Sequence, residues 1–205
     1  MGKPRGGEKD RKKERYYQAA KRHGYRSRSA YKLRQIAKKH NLLKNVNKVL
    51  ELCCSPGGWT QVLREIDPGL RIVAVDLSPM PPIQDVKFIL GDITSPETIE
   101  TIEASIEGRV DLVLSDCSPK VSGTWSLDAV RQIYLAEHTI ELALRLLTKN
   151  GKVLTKVFQG QGFQEFLKST RTKFKSVKLV KPEASRSTSA EIYLMAKGPI
   201  RKNIG

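Results

Sequence analysis

Lys48-Val49-Leu50-Glu51-Leu52-Cys53-Cys54-Ser55-Pro56-Gly57-Gly58-Trp59-Thr60 is the stretch on which the reading of this chain turns. Its first half, Lys48–Cys53, is an apolar run of strand length. A Pro-Gly-Gly turn then leads into a helical pattern from about Trp59 to Ile66. Paired glycines directly after a strand let the backbone approach a ligand closely at a helix N-terminus. The spacing G-x-G-x-x-G is absent, and so is a P-loop, so a phosphate cradle is unsupported. Taken alone, these residues fit a tight strand–helix turn without a ligand equally well.

Outward from this turn, short apolar runs alternate with helical stretches. Arg71–Asp76, Val86–Leu90, Val110–Asp116 and Val153–Phe158 read as strands, with helices at about 96–106, 127–147 and 161–172. Two closing strand-like stretches, Phe174–Val180 and Glu191–Ala196, leave too little sequence between them for a helical crossover, so they are expected to pair antiparallel. Upstream, Ser27 or Ser29 can cap a helix whose apolar face is Tyr31, Leu33, Ile36 and Ala37; Lys32, Arg34, Lys38 and Lys39 lie on its other side. The pattern predicts an α/β fold, a mostly parallel sheet with an antiparallel C-terminal strand and helices on both faces. A class I methyltransferase-like Rossmann sheet has this arrangement. Ligands in such sheets sit beyond the carboxyl ends of the strands.

The chain has 205 residues, 39% of them hydrophobic, which suits one globular domain. No apolar run approaches the roughly 18 residues of a membrane span. The charged opening Met1-Gly2-Lys3-Pro4-Arg5 has no apolar core for a signal peptide, and Gly6 stands where a myristoylation motif requires Ser or Thr. Three cysteines and the unclustered His23, His40 and His138 make neither a zinc site nor a disulfide framework. Three reduced thiols, no metal and a cytoplasmic location are expected.

The net charge of +16 is unevenly placed. Residues 1–50 carry 17 Lys/Arg against 3 acids and residues 151–205 carry 12 against 3, while the middle of the chain is mildly acidic. Basic ends around a differently charged centre point to a polyanionic partner. The interleaved Tyr16, Tyr17, Tyr25 and Tyr31 favour nucleic acid, since aromatic rings stack on exposed bases. The expected organisation is a flexible basic arm (1–13), a single domain (14–200) whose segment 14–45 is a basic RNA-binding helical region, and a tail (201–205).

Three successive strands end in an acid. Asp76 is placed to accept both hydroxyls of a ribose, Asp92 to take an adenine amino group, and Asp116 closes the fourth strand. Each alone could be capping a helix or solvating a loop. Together, beside a glycine-rich first turn, they favour an adenosyl ligand. Lys156 lies in the apolar run Val153–Phe158, which fits either an edge strand with a snorkelling stem or a lysine held in a cleft at the carboxyl edge of the sheet.

These residues also make up a known set. The chain resembles the FtsJ-type ribose 2′-O-methyltransferases of ribosomal RNA over about residues 14–197. The resemblance rests on Ser27-Arg28-Ser29-Ala30-Tyr31-Lys32-Leu33, on Leu52–Trp59, on Asp116-x-x-Pro119, on Lys156-Val157-Phe158-Gln159-Gly160, and on Arg186-Ser187-x-x-x-Glu191-x-Tyr193. It implies a class I S-adenosylmethionine-dependent methyltransferase sheet with S-adenosyl-L-methionine as cofactor. It further implies a catalytic tetrad of Lys32, Asp116, Lys156 and Glu191, and cofactor contacts at Gly58, Trp59, Asp76, Asp92 and Asp116. The implied reaction is 2′-O-methylation of a uridine in the A-loop of large-subunit ribosomal RNA by a monomeric enzyme, on free RNA or on the large subunit. A tRNA anticodon-loop enzyme and a catalytically silent RNA-binding assembly factor are the alternatives; a nicotinamide dehydrogenase lacks the glycine fingerprint. The chain departs from the family pattern at Glu51, where Asp is usual, at Cys53-Cys54 and at Lys120.

A 2′-hydroxyl is a poor nucleophile and a sulfonium methyl is already activated, so the protein must align an in-line displacement and remove a proton. Lys156 is the expected base, acting as the neutral amine. Bringing a lysine from about 10.4 to about 7 takes about 4.6 kcal/mol of differential interaction, for which a nearby Lys32 ammonium and partial burial are the available sources.

Overall fold

Near-continuous apolar strands can be buried only with both faces of their sheet covered. The computed structural model, which describes residues 8–186 and 188–201, builds that sheet from β1 (Lys48–Leu52), β2 (Arg71–Asp76), β3 (Val86–Leu90), β4 (Val110–Ser115), β5 (Leu147–Phe158), β6 (Phe174–Val180) and β7 (Glu191–Pro199). The spatial order is β3-β2-β1-β4-β5-β7-β6. β1 pairs in parallel with both β2 and β4, whereas β7 runs antiparallel between β5 and β6. The two closing strands are thus antiparallel, as expected, and the strand order reverses between β1 and β4, where this kind of sheet opens a ligand crevice.

Helices cover both faces. α2 (Ala30–His40) and α3 (Gly58–Ile66) pack Leu33, Ile36, Val62 and Leu63 against one face. α4 (Pro96–Ile106), α5 (Trp125–Leu146) and α6 (Phe163–Lys173) pack Ile102, Ile140 and Phe166 against the other. Local chemistry fixes the ends of these helices. Ser95 caps α4 by accepting from the Thr98 N–H at 3.2 Å, with Pro96 in the first turn, where its missing N–H costs nothing. α2 ends at Asn41, which holds the left-handed conformation at φ 49°.

Two expectations are corrected. A flexible basic arm is expected over residues 1–13, but from Glu8 the chain forms α1 (Glu8–Arg22). Residues 1–7 of that arm, residues 202–205 of the tail, and Ser187 lie outside the described residues. The cysteines are not all reduced: Cys53 and Cys117 form a disulfide with Cα atoms 5.0 Å apart, leaving Cys54 free and buried. The spacing of 64 residues hid this pairing. Both cysteines lie just past the ends of neighbouring parallel strands, β1 and β4, and only the topology brings them together.

The N-terminal tyrosines are used differently from the expectation of free stacking platforms. Tyr31 packs on Tyr16 and on Tyr25 with ring centroids 5.3 and 5.5 Å apart, and the Gln35 amide donates to the Tyr16 hydroxyl at 3.0 Å. They pin α1 to α2. Tyr17 is the exposed member of the set.

Candidate active site

The strand–turn–helix after β1 sets one wall of the site. Gly57 sits at φ +104°, a backbone conformation that favours glycine, and a Cβ there would lie 2.8 Å from Met80 Sδ and 2.9 Å from the Arg26 guanidinium. A Cβ at Gly58 would overlap the Ser27 hydroxyl. The turn is therefore held tight against the segment that precedes α2. The Trp59 indole N–H donates to the Ser29 carbonyl at 2.9 Å, so Trp59 fastens α2 to the turn and is itself buried. Arg26 completes this wall by donating to the carbonyls of Pro81 (2.6 Å) and Pro82 (3.0 Å).

The strand-end acids line the carboxyl edge of the sheet. Asp76 accepts from the Ser55 N–H at 2.8 Å through one oxygen and from the Ser78 N–H at 2.7 Å through the other. Each oxygen keeps a second lone pair. Asp92 accepts from the Thr94 N–H and hydroxyl through Oδ1, both at 2.8 Å, and its Oδ2 has no hydrogen bond among the described residues. Glu51, fully enclosed beneath the turn, accepts from the Thr60 hydroxyl at 2.7 Å. Burial pushes its carboxyl up to about 8, against the Thr60 hydrogen bond and with help from the charges of Asp116 and Asp76.

The four residues of the expected tetrad converge in one hydrogen-bonded group built from α2, the end of β4, β5 and β7. Lys32 Nζ donates to both oxygens of Glu191, at 2.6 and 2.8 Å, and the Ser185 hydroxyl donates to the same carboxylate at 2.8 Å. Lys156 Nζ donates to the Asp116 carbonyl at 2.7 Å and lies 3.2 Å from its carboxylate. β5 runs between β4 and β7, so Lys156 is no edge-strand residue. Burial would raise the Asp116 carboxyl, but the charges of Lys156 and Lys32 and the Tyr193 hydroxyl hold it below the usual carboxylate range.

Tyr193, absent from the expected site, ties the group together. It is fully buried, donates to Asp116 Oδ1 at 2.7 Å, and lies under the Lys32 ammonium, 5.8 Å from its ring centroid. Burial, then the Asp116 and Glu191 charges, push its hydroxyl well above the ordinary tyrosine value. The signal was available in the sequence: Tyr193 is two residues after Glu191 on a strand, hence on the same face. Gln132 of α5 was also missed; its amide donates to the Lys156 carbonyl at 2.9 Å and so fixes the β5 backbone at Lys156.

Residues 25–199, which span the sheet, the glycine turn after β1 and this four-residue group, match the FtsJ-like methyltransferase family. The chain belongs to that family. It is 45% identical over 182 residues to ribosomal RNA large subunit methyltransferase E of Archaeoglobus fulgidus, covering 89% of this chain and 94% of that protein. To the protein of the same name in Coxiella burnetii it is 42% identical, with 91% of each chain covered. A solved ribosomal RNA methyltransferase from Plasmodium falciparum superposes with a TM-score of 0.77 at 25% identity, covering 87% of this chain and all of the other. A Streptococcus mutans methyltransferase in complex with SAH shares the fold at a TM-score of 0.52 and 16% identity, over 80% of this chain and 97% of that one. Among the described residues of this FtsJ-like chain no group of three or more His, Cys, Asp or Glu could hold a metal, and no helix is long and apolar enough to cross a membrane.

Proposed function

We propose that this chain methylates a ribose 2′-hydroxyl in large-subunit ribosomal RNA, with a uridine of the A-loop as the target nucleotide and S-adenosyl-L-methionine as methyl donor. The observation that carries the reading is the convergence of Lys32, Asp116, Lys156 and Glu191 at the carboxyl edge of the sheet. The relatives' names, which specify large-subunit ribosomal RNA, support the choice of substrate.

The residues present fit the donor. The Gly57-Gly58 turn leaves no room for side chains beside Met80 and Ser27, and Asp76 and Asp92 offer acceptor lone pairs beyond β2 and β3. Asp76 would hold the ribose hydroxyls and Asp92 the adenine amino group. When bound, the donor supplies a methyl group on a positively charged sulfur, which needs alignment rather than further activation.

Proton removal from the 2′-hydroxyl falls to Lys156. Lys156 lies near the end of β5 and is 6% exposed. It takes the hydroxyl proton on Nζ as the oxygen attacks. Asp116 orients the amine through its carbonyl and carboxylate, and Glu191 fixes Lys32. General-base assistance of this kind contributes about 10²- to 10⁴-fold.

The test is methyl transfer from labelled S-adenosylmethionine to unmodified large ribosomal subunits, free ribosomal RNA and tRNA in parallel. Lys156→Ala serves as control, and nuclease digestion with mass spectrometry locates the methyl group. A Lys156-dependent 2′-O-methyl on one ribosomal uridine is expected. Label on tRNA alone overturns the substrate and leaves the chemistry standing. No label on any RNA, with donor binding intact, overturns the enzyme reading in favour of a silent RNA-binding protein.

A further inference from the structure

The sheet face that carries the catalytic group also carries a second concentration of charge. Register places Lys156, Tyr193 and Val180 in one row across β5, β7 and β6, and Lys152, Lys197 and Ser176 in another row on the same face. At about 3.3 Å per residue the two rows lie about 13 Å apart. α2 bridges the interval, with Lys32 at the first row and His40 at the second. Around the second row lies a cavity of about 860 Å³ whose walls include Lys44, Lys149, Lys152, Lys178, Lys197 and Asp111.

The lining is unbalanced in charge. Its one carboxylate, Asp111, is committed to the Asn47 and Lys48 N–H groups at 2.9 and 3.1 Å and to the Thr148 hydroxyl at 3.3 Å. Among the described residues, none of the five lysines forms an ion pair. Lys152 and Lys197 stand directly opposite each other on neighbouring strands, where like charges repel. Lys152 relieves this partly by donating to the Leu42 and Lys44 carbonyls at 2.7 and 2.8 Å. The His40 Nε2 is buried at the same wall with no hydrogen-bond partner among the described residues. A bound anion would answer the repulsion and give the imidazole a partner.

The anion must be extended. Lys44 follows α2, Lys149 lies early in β5, and Lys178 is on β6, so the charges bracket a volume far larger than one phosphate. A second groove along α2, lined by Lys38, Lys39, Lys181 and Glu183, reaches Val180 of the catalytic row. We propose that the cavity is a second RNA site, in which the phosphodiester backbone of a substrate segment remote from the methylated nucleotide is held by Lys44, Lys149, Lys178 and Lys197. The proposal rests on the reading of the substrate as RNA. Phosphate contacts of this kind position a substrate without reading its sequence.

The test compares the wild-type chain with a Lys149→Gln, Lys178→Gln, Lys197→Gln triple variant in binding an unmodified large-subunit ribosomal RNA transcript across a salt series. A Lys87→Gln, Lys168→Gln, Arg171→Gln variant makes the same charge change elsewhere. Loss of three phosphate contacts should weaken binding about tenfold or more at moderate salt and lower the slope of log K against log salt by about 2 to 3. The charge-matched variant should move both far less. Equal effects of the two variants, or an unchanged slope in the first, overturn the site while leaving an RNA-methylating wild type intact. A wild-type chain that binds no RNA at any salt overturns the RNA reading and this site together.

Discussion

Glu51→Gln should stabilise the protein, and increasingly so as the pH rises. The carboxyl lies 1% exposed in β1, where burial holds it protonated up to about 8 against an ordinary 4.5. Its folded value is above its unfolded value, so the stability it contributes is complete below about 4.5 and drains away as the pH climbs toward 8. Between pH 6 and pH 8.5 the loss comes to about 2 to 3 kcal/mol. Glutamine does not titrate and keeps an oxygen for the Thr60 hydroxyl, which now donates to Glu51 at 2.7 Å. Other titrating groups are common to both proteins and cancel in the difference. Urea unfolding followed by the fluorescence of buried Trp59, at pH 6, 7 and 8.5, gives the comparison. The variant's advantage should widen by about 2 to 3 kcal/mol over the series. Stability curves that stay parallel would show that Glu51 is already ionised in the native state and that its enclosure under the turn has been misread.

Three further outcomes are expected. Asp76→Ala should weaken S-adenosylmethionine binding about tenfold or more by calorimetry, the scale of a lost charge-assisted hydrogen bond, and an unchanged dissociation constant excludes a ribose contact. Tyr193→Phe removes the donor 2.7 Å from Asp116 Oδ1. Because the depressed Asp116 carboxyl stabilises the fold at neutral pH and loses that contribution as the pH falls, the variant should be less stable at pH 7 by about 1 to 3 kcal/mol, with the gap closing in acid; a gap independent of pH counts against the assignment. Cys53→Ser opens a cross-link spanning 64 residues, which loop-closure entropy values at about 4 kcal/mol, and a thiol reductant should lower the melting temperature of the wild type and leave that of the variant unmoved.

The strands and the turn were legible because their causes are local. Arg71–Asp76, Val86–Leu90 and Phe174–Val180 carry uniform strand patterns bounded by turns or helix, and the structure keeps those bounds. β5 is longer than its apolar core because the polar stretch Thr148–Lys152 lies between Leu147 and Val153, with Leu147 and Lys152 pairing to β4 and Lys152 also to β7. α1 was hidden by composition, since charged residues mask a helix whose anchoring depends on tyrosines packing on α2. The Cys53–Cys117 bridge and the cavity at the amino end of β5 were not legible at all. Both depend on which strands become neighbours, and nothing in the local pattern specifies the order β1-β4-β5-β7. Tyr193 stands between these cases, placed by a simple period of two but given its role by Asp116, which is distant in sequence.

The two lysines of the site are held differently, and the difference bears on which of them can take part in proton transfer. Lys32 grips both oxygens of Glu191, which the Ser185 hydroxyl fixes from another side. Lys156 has a looser carboxylate contact, 3.2 Å to an Asp116 oxygen that also accepts from Tyr193 at 2.7 Å. Glu191 therefore depends on Lys32 for compensation of its charge, whereas Asp116 has the Tyr193 hydroxyl as a donor besides Lys156. The same asymmetry gives the two alanine variants different meanings. Lys32→Ala strips a largely enclosed carboxylate of its cation and should disturb the fold as well as the reaction. Lys156→Ala leaves Asp116 bonded to Tyr193 and within the field of Lys32, so loss of methyl transfer in that variant, with donor binding retained, reports on the chemistry.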